Sequence, residues 1–90
     1  MTRVRYEPAL PALEFEGHAG AGLRGQDPIC AALSILMFTL FEAEPAAQIR
    51  LREGRCRVRG GDRRSYELIA GGLRLLAENY PEHVRLEVRT

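Results

Sequence analysis

His18 and Cys30 stand at the two edges of a glycine-rich stretch, Gly17-His18-Ala19-Gly20-Ala21-Gly22-Leu23-Arg24-Gly25-Gln26-Asp27-Pro28-Ile29-Cys30. Cysteine attacks carbonyl carbon as a thiolate, which needs a nearby base or a site that favours the anion. The segment offers both. Asp27 suits an N-cap and Pro28 suits the first helical position, where no N–H is lost. Cys30 then falls in the first turn, where backbone N–H groups and the positive end of the helix dipole favour negative charge. The imidazole of His18 is the candidate base. Asp27 opposes the thiolate as a like charge unless its carboxylate is spent on the cap or on orienting His18. The competing reading makes Cys30 a small buried hydrophobe, as free cysteine often is.

Ser34 lies one turn beyond Cys30 on the same helical face. It can support the sulfur or bond back to its own helix, the commoner habit. The glycines have a rival meaning. Gly20-Ala21-Gly22-Leu23-Arg24-Gly25 matches the spacing of dinucleotide-binding turns. Those turns start their helix inside the motif and belong to a large parallel sheet. Pro28 starts the helix here after the last glycine, so no nucleotide cofactor is expected, and no metal-ligand cluster is apparent. Gly17, Gly20, Gly22 and Gly25 instead suit a loop that closes over a substrate, and equally an ordinary surface turn.

The elements that must hold this segment follow from periodicity. Thr2–Tyr6 and Leu13–Glu16 alternate as strands, with Pro8 and Pro11 around the turn between them. A helix is expected over 28–43, apolar almost all round and so buried on more than one side, with a partner subunit as the plausible second cover. Gln48–Glu53 and Arg55–Arg59 form a hairpin about Gly54, with Ile49, Leu51, Cys56 and Val58 inward. A second helix spans 63–80, weakened by Gly71 and Gly72, for which close packing against another backbone would be a reason. His83–Arg89 is the last strand, with Val84, Leu86 and Val88 inward and His83 on the polar side. The order ββαββαβ implies an α+β fold: one mixed sheet, two helices on one face, residues 1–90 as a single domain.

Composition excludes some functions. Of 90 residues, 13 are basic, all of them arginine, against 12 acidic, for a net charge of +1. No global pull on nucleic acid follows. The outward face would carry Arg3, Arg5, Arg50, Arg52, Arg57, Arg59, Arg85 and Arg89, but it lacks the aromatics on which RNA bases stack. Glu14, Glu16, Glu53 and Glu87 dilute its charge, so direct nucleic-acid binding is not expected. No apolar run spans a membrane and no signal peptide opens the chain, so the expected location is the cytoplasm. Both cysteines are then expected reduced, with Cys56 inert in the core.

These residues resemble the ribosomal-processing cysteine protease family, Prp, over nearly the whole chain. Gly17-His18-Ala19-Gly20 is similar to the family's histidine motif, and Asp27-Pro28-Ile29-Cys30-Ala31-Ala32-Leu33-Ser34 to its cysteine motif, at matching separation. Ala77-Glu78-Asn79-Tyr80-Pro81-Glu82-His83-Val84 is similar to its C-terminal segment. The resemblance implies a homodimeric cysteine endopeptidase. Such enzymes remove the N-terminal extension of large-subunit ribosomal protein twenty-seven, cutting after an aromatic residue. It further implies Cys30 as nucleophile, His18 as general base and then acid, Asp27 and Ser34 in support, and a glycine loop that closes on the peptide. Backbone N–H groups at the helix start, around Cys30, would hold the oxyanion. Ala21, Pro28 and Met37-Phe38-Thr39-Leu40-Phe41-Glu42 depart from the family's usual residues and bear on substrate preference. The alternative is a non-catalytic peptide-binding or ribosome-assembly module of the same fold, a divergent paralogue.

Overall fold

A computed structural model describes residues 1–18, 20, 22 and 26–90. The chain runs β1 (Thr2–Glu7), β2 (Ala12–Gly17), α1 (Pro28–Ala43), β3 (Gln48–Arg52), β4 (Arg55–Arg59), α2 (Arg63–Asn79) and β5 (Val84–Val88). The expected ββαββαβ order and mixed sheet are both present. The sheet runs β3-β4-β2-β1-β5, antiparallel throughout except for the parallel pair of β1 with β5. The first β-hairpin thus occupies the centre and the second extends one edge.

Alternation decides the core. Val4 and Tyr6 of β1, Leu13 and Phe15 of β2, Cys56 and Val58 of β4 and Val84 of β5 are buried on the face that meets the helices. Ile29, Leu33 and Leu40 come down from α1, and Tyr66, Ile69, Ala70 and Leu73 from α2. Tyr66 also donates its hydroxyl to the Gly60 carbonyl at 2.6 Å, so its polar end is satisfied where the ring is fully covered. No helix among the described residues is long and apolar enough to cross a membrane.

The inward set is smaller than alternation implied. Ile49 and Leu51 remain 41 % and 64 % exposed, because β3 is an edge strand whose residues are all exposed in the single chain. Val88 is exposed at the end of the opposite edge strand. On α1, Ile35 and Phe38 are 61 % and 55 % exposed, so one side of that apolar helix has no cover among the described residues.

Glu44, just past α1, fixes where α2 begins. Its carboxylate accepts from the Asp62 N–H at 3.0 Å and from Ser65 Oγ at 2.6 Å. Gly61 sits against it with φ +106, where a Cβ would run into the Glu44 carboxylate. Asp62 then caps α2 through the Arg64 N–H at 2.9 Å.

The two glycines of α2 differ. At Gly72 a Cβ would lie 2.8 Å from Leu36 Cδ2, so α1 and α2 approach closely there, onto a side chain and not onto backbone. At Gly71 a Cβ would meet nothing within 4 Å. Gly71→Ala is therefore expected to stabilise the fold by about 0.5–1 kcal/mol through helix propensity. Gly72→Ala forces Leu36 to move and should gain less or lose. Thermal unfolding of the two variants checks the contrast, and equal shifts would contradict it.

Burial also sets a pH limit. Desolvation raises the Cys56 thiol above its ordinary 9.0, and desolvation with the Glu44 charge raises Tyr66 above 10.0. Tyr6 is raised by desolvation and by Glu67. Each group is held neutral by the fold, so the unfolded chain loses these protons first as pH rises. Their stabilisation is intact below pH 9.0 and is lost as pH climbs through the raised values. The urea midpoint should fall from pH 9 upward, and the combination of Cys56→Ala with Tyr66→Phe should flatten that fall.

Candidate active site

The N-terminus of α1 is built as its sequence implies. Pro28 takes the first helical position, and Asp27 Oδ1 accepts from the N–H groups of Ile29 at 2.9 Å and Cys30 at 3.0 Å. The Ala31 N–H donates to the Asp27 carbonyl at 3.1 Å. Cys30 thus sits at the third helical position, half-buried against the core.

This cap corrects one expectation. Pro28 has no N–H, and those of Ile29, Cys30 and Ala31 are all engaged by Asp27. The first turn therefore has no uncommitted donor to hold an oxyanion. Asp27 also brings a carboxylate to the end of the helix where the dipole is positive, which offsets the dipole's support for a thiolate.

His18 follows directly on β2. The Gly17 N–H donates to the Gly54 carbonyl at 2.8 Å, and Gly17 pairs with Thr2 of β1. The end of β2 is thus clamped between the N-terminal strand and the β3–β4 turn. His18 and Cys30 are brought together on one cleft of about 300 Å³, with Phe15, Leu33, Met37 and Cys56 among its walls. Leu51, Arg52 and Arg55 close its β3–β4 side. A second recess of about 470 Å³ shares His18, Cys30 and Gly54 and adds Gly20, Gly22, Asp27 and Glu53. The nucleophile and base candidates therefore stand where an apolar slot and a polar, glycine-lined recess meet.

Ser34 lines the apolar slot. Among the described residues it makes no back-bond to α1. That habit belongs to Thr39, whose Oγ1 donates to the Ile35 carbonyl at 2.6 Å. Gly17 lines the slot and Gly20 and Gly22 line the recess, whereas Gly25 lies outside the described residues. Periodicity found the β3–β4 turn but not its place at the site: Gly54 walls both the slot and the glycine-lined recess, Glu53 walls the recess, and the long-range bond from Gly17 holds the turn there. Cys56 is buried at 5 % exposure yet contributes to the cleft floor. No group of three or more potential metal ligands occurs among the described residues.

Comparison with known proteins adds to this geometry. A family model described as cysteine protease Prp matches residues 1–85. A crystal structure of the essential ribosomal processing protease Prp from S. aureus, in complex with a covalently linked product peptide, is 22 % identical. It superposes with a TM-score of 0.89 over 99 % of this chain and 100 % of that one. The same protease with a substrate peptide gives 20 % identity and a TM-score of 0.79 over 99 % and 100 %. SMU.848 from Streptococcus mutans gives 25 % identity and 0.73 over 99 % and 92 %. No curated protein sequence matches the chain.

Proposed function

The chain belongs to the cysteine protease Prp family, and from that premise we propose that it is a peptidase in which Cys30 is the nucleophile and His18 the base, acting on a ribosomal protein precursor. The observation that carries this reading is the shared cleft: the Cys30 thiol and the His18 imidazole, twelve positions apart in sequence, on the wall of an apolar slot. The solved S. aureus protease bound to substrate and product peptides supports a peptide ligand here.

The chemistry follows from the positions. His18 takes the Cys30 proton, and the thiolate adds to the scissile carbonyl. The imidazolium returns the proton to the leaving amine, giving a thioester that water, activated by the same imidazole, hydrolyses. Asp27 holds the helix end in place, and Ser34 supplies a hydroxyl to the slot. The oxyanion takes its donors from the glycine-lined recess. An apolar side chain of the peptide fills the slot between Phe15, Leu33 and Met37, which fits cleavage after an aromatic residue and points to the extension of ribosomal protein twenty-seven. This chemistry belongs to the cytoplasm, where thiols stay reduced.

Incubation with an extended peptide of that protein, read by mass spectrometry, tests the substrate. Iodoacetamide labelling tests the thiol: Cys30 should alkylate well below pH 8 and Cys56 should not. Labelling confined to Cys56, with no cleavage, would support the non-catalytic binding module instead.

The uncovered Phe38, Ile49 and Leu51 support a homodimer that covers the exposed side of α1 and the helix-facing side chains of β3, leaving the outer face of that strand open. Phe38→Arg is then expected to turn a dimer into a monomer by sedimentation velocity, and a wild-type monomer would contradict the assembly.

A further inference from the structure

The outer face of the sheet, away from both helices, distributes its charge unevenly. Gln48, Arg50 and Arg52 of β3 and Arg55, Arg57 and Arg59 of β4 share that face by alternation. Register sets Arg50 directly opposite Arg57, and Arg52 directly opposite Arg55. Like charges facing each other across a ladder are destabilising. The carboxylates on the face stand on β1, β2 and β5, and Glu53 stands in the β3–β4 turn beside Arg52. Arg57 reaches Glu7 at 3.2 Å and Glu14 at 3.5 Å, Arg55 reaches Glu14 at 3.4 Å and Glu16 at 3.0 Å, and Arg5 reaches Glu87 at 3.9 Å. Arg50, Arg52 and Arg59 form no ion pair among the described residues. The glutamates therefore neutralise the middle of the sheet and leave the β3 edge positive.

That edge is also concave. Gln48, Arg50, Arg57 and Arg59 line a recess of about 110 Å³. Arg52 continues the positive track to the mouth of the peptide cleft, where it lines the cleft and the β3–β4 turn together.

We propose that this outer face of the β3–β4 hairpin docks RNA through its phosphate backbone. Guanidinium groups bind phosphate oxygens bidentately and stay charged at any working pH. A phosphate chain carries a charge on every unit, which suits arginines repeated every second residue along two strands, about 7 Å apart. The only apolar residue that the strands place on this face is Ala12, which is fully buried. A protein partner would want apolar anchors there, and base recognition would want aromatic platforms. Neither is present, so the contact is to backbone and is independent of sequence. The inference does not rest on the peptidase reading, and its test is separable from it.

Fluorescence anisotropy of a labelled RNA duplex of about 16 base pairs, titrated with the intact protein, tests it. Three free arginines predict a log affinity against log salt slope of about −2.7, or roughly a fortyfold loss between about 50 and 200 mM salt. Arg50→Ala with Arg59→Ala should weaken binding at least about tenfold at low salt and flatten the slope by about 2. Arg50→Lys with Arg59→Lys should keep the slope, and both pairs should cleave peptide as the wild type does. Absence of binding at low salt, or a slope that the double alanine variant leaves unchanged, would overturn the proposal. Displacement of the RNA by polyglutamate as readily as by unlabelled duplex would also overturn it, assigning the face to an acidic polypeptide.

Discussion

Cys30→Ala is expected to abolish peptide cleavage, by about 10⁴-fold or more, while the protein unfolds within about 1 kcal/mol of the wild type. The two halves of that statement have separate causes. In the proposed mechanism the sulfur adds to the carbonyl, and alanine supplies no nucleophile. The fold scarcely uses the sulfur: the side chain is half-buried on a cleft wall, alanine is a good helix former, and the bond to Asp27 comes from the backbone N–H, which the substitution keeps. His18→Ala should cost about 10²–10⁴-fold, the usual range for a removed acid–base group, again without loss of structure because His18 is exposed. Cys56→Ala should behave in the opposite way. Its side chain is in the core, so stability falls while cleavage persists. Mass spectrometry of an extended ribosomal-protein peptide, with urea unfolding beside it, separates the three. Complete cleavage by Cys30→Ala would remove the nucleophile from the mechanism.

The elements were legible because each local signal agreed with the others. Asp27-Pro28 and Pro45 bracket α1, alternation marks every strand, and Gly54 has the positive φ that the second β-hairpin needs. The cysteine at the third helical position followed from the cap alone. Burial at the edges was not legible. Ile49 and Leu51 alternate as cleanly as Cys56 and Val58, but alternation assigns a face and not the width of the helices that cover it. The role of the first turn was half legible. Asp27 read as a cap, but that its carboxylate and carbonyl would take all three N–H groups of the turn is a matter of geometry. The glycine-turn wall of the cleft depends on a contact between residues 17 and 54, beyond the reach of any local pattern.

That contact makes Gly17 the position outside the reacting pair where a small change should do most damage. Its φ is +89, in the region that side chains disfavour by roughly 1–2 kcal/mol. A Cβ there would also lie 2.6 Å from the Met1 carbonyl oxygen, which is backbone and cannot rotate aside. Relief of that clash means pulling β2 away from the start of β1, where Gly17 faces Thr2, or breaking the 2.8 Å bond to Gly54. Either movement displaces the next residue, His18, from the cleft that it shares with Cys30. Gly17→Ala is therefore expected to destabilise the fold by about 2–4 kcal/mol and to reduce cleavage by at least about 10²-fold at temperatures where the variant is still folded, since an ångström of misplacement is enough for such a loss. Gly20→Ala gives the contrast. Its φ is also positive, at +71, but a Cβ there meets nothing within 4 Å among the described residues, so it pays the conformational cost without the clash. If the two variants lose stability and activity alike, the loss at Gly17 is conformational alone, and the clamp between β1 and the β3–β4 turn is not what places the histidine.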